Sequence, residues 1–173
     1  MTFTTRFAPS PTGPLHLGHA YSALLAADLA QSQAGQFLLR IEDIDQSRAR
    51  RNWEQQIYAD LTWLGVCWPE PVMRQSDRLP HYAAALQRLT ELGLTYPCRC
   101  NRAEIEAAAG APQEGVPQFG PDGRIYPGAC RTRPISEATA QDVIRLNMTA
   151  ALQHIGQLSF IETSEELGGR ISI

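Results

Sequence analysis

The first 41 residues constrain the fold most strongly, because they alternate between strand, turn, helix and strand within a short span. Residues Thr2–Ala8 have the composition of a short strand, and the segment Pro9–Pro14, rich in turn-forming residues, has that of a turn. The Ala- and Leu-rich segment His19–Ala34 predicts a helix, and Gly35 stands where a helix C-cap is expected. The apolar segment Gln36–Ile41 predicts a buried strand. This order predicts an α/β fold with a parallel sheet and a right-handed crossover.

Size and charge narrow the classes of protein to which the chain can belong. With 173 residues it can form one domain with a real core, with or without a small appendage. The net charge of −3 gives no general affinity for nucleic acid, so any RNA contact must be a local patch. The sequence has neither a signal-peptide pattern nor an apolar run of about 18 residues. We therefore expect a cytoplasmic protein without membrane contact.

The remaining elements follow from apolar spacing and from helix-ending glycines. A stripe at intervals of four, four and three residues predicts a second helix that ends at Gly65. This stripe consists of Trp53, Ile57, Leu61 and Leu64. A third helix is predicted from Arg78 to Leu92, with Gly93 after it. The composition then changes near Tyr96, which predicts a division into residues 1–97 and residues 98–173.

The second part of the chain predicts shorter elements. Asn101 and Glu104 have the spacing of a capping box at the start of a helix over residues 101–109. Residues 110–123 are dense in Gly and Pro and are predicted to be flexible. Short strands are predicted at Val143–Leu146 and Leu158–Ile161.

The HLGH sequence at residues 16–19 is a candidate phosphate-binding motif. His16 and His19 are three residues apart at a helix start, so they share a face, and Gly18 lets a ligand approach the backbone. A helix N-terminus offers free N–H groups and partial positive charge to a polyphosphate. For HxGH alone, two capping histidines and a packing glycine are the more common explanation. The preceding strand and the segment RFAPSPTG favour the functional interpretation.

The RIEDID segment, residues 40–45, is a candidate substrate-binding cluster. Strand alternation predicts that Arg40 and Glu42 share one face and that Asp43 faces the other way. A solvated charge run is the simple alternative. It is less favoured here because ligands bind at the carboxyl ends of parallel strands, beside the HxGH crevice.

Together, RFAPSPTGPLHLGH and RIEDID resemble the first signature region and the following strand of class I glutamyl-tRNA synthetases. The resemblance implies the first half of a Rossmann-type parallel sheet, with HLGH corresponding to the family's HIGH motif. It implies two catalytic residues, His16 and His19. The implied glutamate-binding residues are Arg6, Ala8, Ser10 and Glu42. The implied ATP-binding residues are Pro9, His16, Gly18 and His19.

The cysteines predict a metal site. Cys98, Cys100 and Cys130 could supply three thiolates and Tyr126 one oxygen, which gives a four-coordinate zinc site. A CxC pair alone is more often explained by free thiols. The pattern CRC followed by YPGAC resembles the CxC…YxxxC zinc site of glutamyl-Q tRNA(Asp) synthetases, short paralogues of glutamyl-tRNA synthetases. Cys67 is left over as a core or half-buried thiol.

That second resemblance implies an activity. Glutamate would react with ATP and Mg²⁺ to give glutamyl-adenylate, and glutamate would then pass to queuosine at the wobble position of tRNA(Asp). However, the sequence contains no lysine, whereas the KMSKS-type loop of these enzymes uses one. The open explanations are a truncated gene, a fragment of a longer chain or a protein without catalysis. The alternative functions are a fragment of a discriminating glutamyl-tRNA synthetase and a non-catalytic zinc- or nucleotide-binding remnant.

Overall fold

A computed structural model describes residues 2–110, 119–120, 123–162 and 169–172. The chain separates into two compact units, Met1–Ala83 and Ala84–Ile173. The domain division predicted between residues 97 and 98 stays a prediction. Among the helices in the described part of the chain, none combines the length and apolar character that crossing a membrane requires.

The first unit contains the predicted βαβ arrangement. Strand β1 (Thr4–Phe7), helix α1 (Leu17–Ser32) and strand β2 (Gln36–Ile41) follow one another, and the two strands pair in parallel. A short third strand, β3 (Met73–Arg74), pairs in parallel with the end of β2, which gives the sheet order β1-β2-β3. The α/β fold class with a parallel sheet is therefore confirmed. Strand β3 is not predicted from the sequence, since two residues carry no readable alternation.

The core of this unit lies between the sheet and the helices that follow its strands. Strand β2 alternates regularly, so that every second side chain is buried, and helix α2 (Arg51–Trp63) adds residues from its predicted stripe. The buried core consists of Phe7, Ala23, Ala30, Phe37, Leu39, Ile41, Ile57, Leu61 and Val66. Burial of this apolar surface is the main stabilising contribution to the unit.

Two glycines end helices as predicted. Gly65, with φ of +78°, follows α2, and the N–H of Val66 donates to the carbonyl of Leu61 at 3.0 Å. Gly93, with φ of +72°, follows helix α3 (Leu79–Glu91) in the same manner. Positive φ favours glycine, and these backbone bonds satisfy carbonyl groups at each helix end.

Helix α1 begins two residues earlier than its predicted start at His19. His16 is the N-cap, and its carbonyl accepts hydrogen bonds from the N–H groups of His19 at 2.9 Å and Ala20 at 3.1 Å. The HLGH sequence is therefore the first turn of the helix itself. The strand predicted at residues 2–8 is shorter in the structure, because only residues 4–7 pair with β2.

The second unit is built on an antiparallel pair. Strand β4 (Thr95–Cys98) pairs with the predicted strand β7 (Val143–Leu146). Between and after them lie helix α4 (Arg102–Gly110), a hairpin, helix α5 (Met148–Ile155) and a second hairpin. The hairpins consist of β5 (Phe119–Gly120) with β6 (Gly123–Arg124), and of β8 (Ser159–Glu162) with β9 (Gly169–Ser172).

Predictions for this unit are largely confirmed where the structure describes it. The capping box of α4 is present, because the N–H of Asn101 donates to Glu104 Oε2 at 2.8 Å and the N–H of Glu104 donates to Asn101 Oδ1 at 2.9 Å. The strand predicted at residues 158–161 lies one residue later. Most of the Gly- and Pro-rich stretch 110–123 lies outside the described residues. Strand β4 and helix α5 were not predicted.

Candidate functional site

The turn after β1 and the first turn of α1 enclose a cavity of about 270 Å³. It gathers four of the predicted site residues, Ala8, Pro9, Ser10 and His19, around one space. The cavity is also lined by Phe7, Thr12, Gly13, Pro14 and Leu15. Its position at the carboxyl end of β1 is where parallel sheets hold ligands.

The two histidines form a stacked pair at the N-terminus of α1. Their ring centroids are 3.7 Å apart, and the N–H of His16 donates to His19 Nδ1 at 3.2 Å. In its neutral form His19 then carries its proton on Nε2. Partial burial and the neighbouring His16 lower the pKa of His19 from its ordinary value of 6.5. At neutral pH His19 is therefore mostly uncharged, and its Nε2–H can still donate a hydrogen bond.

Gly18 makes room for this pair. A Cβ atom at this position would lie 3.1 Å from the imidazole of His16. That distance is tighter than an ordinary van der Waals contact, so a larger residue would displace the ring. The glycine of HLGH thus has a local steric reason in addition to any role toward a ligand.

Arg6 lies at a separate cavity of about 290 Å³, which it shares with Arg40 and Glu70. Glu42 connects the two cavities. Its carboxylate forms an ion pair with the guanidinium of Arg40, and its backbone N–H donates to the carbonyl of Pro9 at 3.0 Å. The predicted common face of Arg40 and Glu42 is therefore present in the structure.

Asp43 faces the interior and is only 2% exposed. Its carboxylate accepts hydrogen bonds from the Ser76 N–H at 2.9 Å and the Ser76 hydroxyl at 2.6 Å. The Arg74 guanidinium lies 3.3 Å from Asp43 and 3.0 Å from Glu54, which also accepts a hydrogen bond from Tyr58. Burial raises the pKa of Asp43, but the Ser76 hydrogen bonds and the charge of Arg74 outweigh it, so the net pKa is lowered.

Sequence reasoning missed Arg74, Ser76 and Glu54. Nothing in their local sequence connects them with RIEDID, because Asp43 and Ser76 are 33 residues apart in the chain. The pairing of β3 with β2 brings them together. Arg74 belongs to a strand of only two residues, and such a short strand gives no recognisable pattern in the sequence.

In the second unit, the three predicted cysteine ligands converge. The Sγ atoms of Cys98, Cys100 and Cys130 all lie within 4.8 Å of one another. The Tyr126 hydroxyl oxygen is 3.2 Å from the Cys98 sulfur and 3.7 Å from the Cys100 sulfur. Two sulfurs bound to one zinc ion at about 2.3 Å with tetrahedral angles lie about 3.8 Å apart. The observed spacings fit such a donor set.

The surroundings lower the pKa of Cys98 and of Cys130, whereas the neighbouring thiols raise the pKa of Cys100. Burial raises the pKa of Cys98, but hydrogen bonds from Tyr126 and Arg145 outweigh it and bring the pKa to about 7. The guanidinium of Arg145 also lies 4.6 Å from the centre of the Tyr126 ring. A thiol that ionises near neutral pH is a better metal ligand than an ordinary one. Cys67, the remaining cysteine, is exposed, contrary to the prediction of a core or half-buried thiol.

A carboxylate and its arginine partners connect the chain segments that carry the cysteines. The side chain of Asp142 is inaccessible to solvent and accepts a hydrogen bond from Arg133 at 3.0 Å, while Arg99 lies 3.4 Å from the same oxygen. Arg133 also donates to the carbonyl of Pro97 at 3.3 Å, and its N–H donates to the carbonyl of Cys130 at 3.0 Å. The segments that carry Cys98 and Cys130 are thereby connected.

Comparison with known proteins identifies the family. Residues 2–148 match the family described as tRNA synthetases class I (E and Q), catalytic domain. The chain belongs to this family. Membership confirms the resemblance on which the site residues were predicted, although the role of each residue stays a prediction.

Individual relatives agree with this membership. The chain is 57% identical over 156 residues to the glutamyl-Q tRNA(Asp) synthetase of Rhodobacter capsulatus, a match that covers 88% of this chain and 55% of the relative. It is 39% identical over 145 residues to the glutamate–tRNA ligase of Symbiobacterium thermophilum, covering 76% of this chain and 28% of the relative.

A solved structure extends the comparison to the fold. The glutamate tRNA ligase of Elizabethkingia meningosepticum, in complex with its amino acid, matches with a TM-score of 0.68 and 25% identity. The match covers all of this chain and 36% of that structure. The chain thus spans about half the length of the glutamyl-Q relative and about a third of the solved ligase.

Proposed function

We propose that this chain forms the glutamate- and ATP-binding part of an enzyme that transfers glutamate to queuosine at the wobble position of tRNA(Asp). The observation that carries the proposal is the 57% identity to a glutamyl-Q tRNA(Asp) synthetase over 156 residues, or 88% of this chain. The lower identity of 39% to a glutamate–tRNA ligase supports the same choice. The reaction places the enzyme in the cytoplasm, together with its tRNA and ATP.

In this proposal, the residues around β1 and β2 hold L-glutamate. Arg6 has the planar guanidinium that pairs with a carboxylate, and Glu42 offers its carboxylate to the substrate ammonium. Ala8 and Ser10 complete the orientation from the turn. Arg40 lines the same cavity as Arg6, together with Glu70, so a second guanidinium is available there for a substrate with two carboxylates.

ATP would lie against the start of α1. Pro9, Gly18 and the helix N–H groups leave space for the nucleotide, and the two histidines donate hydrogen bonds to the α-phosphate. A glutamate α-carboxylate oxygen attacks the α-phosphorus, the bond to the β-phosphate oxygen breaks, and pyrophosphate leaves. Mg²⁺, when bound with ATP, supplies charge neutralisation on the phosphates. The donors at His16 and His19 stabilise charge that grows on the α-phosphate during this step.

The zinc assigned to Cys98, Cys100, Tyr126 and Cys130 has a structural role in this proposal. The donor set offers three sulfurs and one oxygen at spacings that match a closed four-coordinate site. Such a site leaves no position open for a substrate. The metal would instead fix the loop that carries Tyr126 to the end of β4.

The first test is ligand binding by the 173-residue chain. Isothermal titration should detect L-glutamate and ATP, and His19→Ala should weaken ATP binding by roughly tenfold or more, because a positioned donor is removed. The matched control is His81→Ala, which changes an exposed histidine in α3 that lines no cavity described above. Equal ATP affinity in His19→Ala and wild type would contradict the proposed role of the motif.

The second test is transfer by the protein expressed from its own gene. Glutamate-dependent exchange of pyrophosphate into ATP, and charging of tRNA(Asp) only when it contains queuosine, are the expected results. Charging of unmodified tRNA(Glu) at its 3′ end would instead support a discriminating glutamyl-tRNA synthetase.

A second candidate function is binding without catalysis. It concerns residues 1–173 taken by themselves, which contain no lysine of the kind that the family's KMSKS-type loop uses at the reacting phosphates. Binding of ATP and glutamate with no exchange activity would support it.

A further inference from the structure

Two neighbouring carboxylates at the end of β2 have opposite surroundings. Glu42 is about one-third exposed and pairs with Arg40, whereas Asp43 is 2% exposed and points into the protein. A buried carboxylate is costly unless hydrogen bonds and opposite charge compensate it. Asp43 has both, from Ser76 and from Arg74.

Asp43 connects three separate parts of the first unit. Its own backbone continues from β2, Ser76 lies two residues beyond the end of β3, and the Arg74 side chain contacts Glu54 in α2. Two buried carboxylates therefore share one guanidinium. Because Glu54 also binds the Tyr58 hydroxyl at 2.9 Å, its carboxylate is held on both sides. The cluster therefore connects the ends of β2 and β3 with helix α2.

Backbone hydrogen bonds hold Glu42 and the residue before it. On one side, the N–H of Gln75 donates to the carbonyl of Ile41 at 3.0 Å. On the other side, the N–H of Glu42 donates to the carbonyl of Pro9 at 3.0 Å, which ties it to the turn of the first cavity. The residue after Glu42 is anchored through its side chain. Glu42 thus lies between residues that are held in place, and its carboxylate pairs with Arg40.

We propose that Asp43 and Arg74 are positioning residues, which hold Glu42 in the orientation that receives the ammonium group of the amino-acid substrate. The proposal rests on the function proposed above, in which Glu42 contacts glutamate. Neither Asp43 nor Arg74 touches the substrate in this arrangement. They act through the backbone at the end of β2, so their loss should affect amino-acid binding and spare nucleotide binding.

The first experiment is a double-mutant cycle on the 173-residue chain. Asp43→Asn keeps the size of the side chain but removes its charge, and we expect the Kd for L-glutamate to rise roughly tenfold. The Kd for ATP should stay within about twofold, since the histidine pair belongs to α1. In Glu42→Gln, the further change Asp43→Asn should cause no additional loss, because both act at one group. Full additivity, or an equal loss of ATP affinity, would overturn the proposal.

Controls separate positioning from general destabilisation. Asp142→Asn removes a similarly buried, arginine-paired carboxylate in the other compact unit, and it should leave the Kd for glutamate unchanged. Ser76→Ala removes one hydrogen bond to Asp43 while the backbone N–H of Ser76 remains, so it should give a smaller loss than Asp43→Asn. Circular dichroism at the assay temperature establishes that each variant is folded.

A second measurement needs no ligand. Hydrogen exchange by NMR should show that Asp43→Asn speeds exchange of the Glu42 amide, by about tenfold or more, while the amides of Phe37 and Leu39 in β2 stay protected. Unchanged exchange at Glu42 would overturn the proposal even if glutamate binds. If wild type fails to bind glutamate, the proposed function fails, and the exchange result still decides whether Asp43 holds Glu42.

Discussion

The stacked histidines show how the environment of one residue sets its response to a ligand. His19 has a lowered pKa because it is partly buried and faces His16, so it is mostly neutral at pH 7. A bound triphosphate would bring negative charge close to the ring and raise the pKa again. Protonation of His19 should therefore accompany nucleotide binding.

Calorimetry can measure that proton. Titration of ATP at a pH of about 6.5, in buffers of different ionisation enthalpy, measures the net proton change, to which the terminal phosphate of ATP also contributes. Wild type and His81→Gln should take up more protons per nucleotide than His19→Gln, by a fraction of one proton. Equal proton changes in wild type and His19→Gln would contradict the assignment to this residue.

At the scale of elements, the turn from α1 into β2 depends on close packing at Gly35. A Cβ atom there would lie 2.3 Å from the carbonyl oxygen of Phe3, which accepts a hydrogen bond from Gln36 at 2.8 Å. Backbone cannot move away from such a contact without losing the start of the β1–β2 pairing. The turn therefore requires glycine for space. The prediction of Gly35 as the C-cap of α1 is wrong, because Gln33 is the C-cap and Ala34 has the positive φ of 45°.

We predict that Gly35→Ala lowers the free energy of unfolding by about 2 kcal/mol or more, as expected for a steric conflict with backbone. Urea denaturation followed by circular dichroism measures this loss. The matched control is Gly13→Ala, since a Cβ at Gly13 meets nothing within 4 Å, and its effect should stay within about 0.5 kcal/mol. Equal stabilities of the two variants would show that the turn can relax.

The elements also show what the sequence can and cannot predict. Helix α2 and the helix ends at Gly65 and Gly93 were predicted because apolar spacing and positive-φ glycines act locally. Strand β3 was missed because two residues contain no period, and its pairing depends on contacts across 33 residues. The same holds for the site: HLGH and Glu42 can be read from local motifs, but Arg74 becomes part of it only through folding.

At the scale of the whole molecule, the two compact units differ in how they are stabilised. The buried core cluster of nine residues belongs to the first unit. Among the described residues of the second unit, the buried apolar side chains are Leu94, Tyr96, Pro97 and Cys98. Apolar burial among these described residues is limited, so a metal or another cross-link would contribute a larger share of their stability. We therefore expect the cysteine cluster to contribute to the stability of the second unit and not to that of the first.

We therefore predict that Cys130→Ser lowers zinc content from about one ion per chain to well below that, and loosens the second unit. Elemental analysis measures the metal, and hydrogen exchange should quicken in β4 and β7 while β2 stays protected. Cys67→Ser, which changes an exposed thiol, should alter neither result. Stoichiometric zinc in Cys130→Ser would remove this residue from the ligand set.

The order β1-β2-β3 has a final consequence for recognition. Among the described strands of this sheet, β2 is the one with a neighbour on each side, and Glu42 follows directly at its end. A group attached to a strand that is paired on both sides has little conformational freedom before a ligand arrives. Substrate binding then costs little conformational entropy at that group, so more of the attraction to the substrate is retained as affinity. The middle strand thus makes the carboxylate of Glu42 pre-organised.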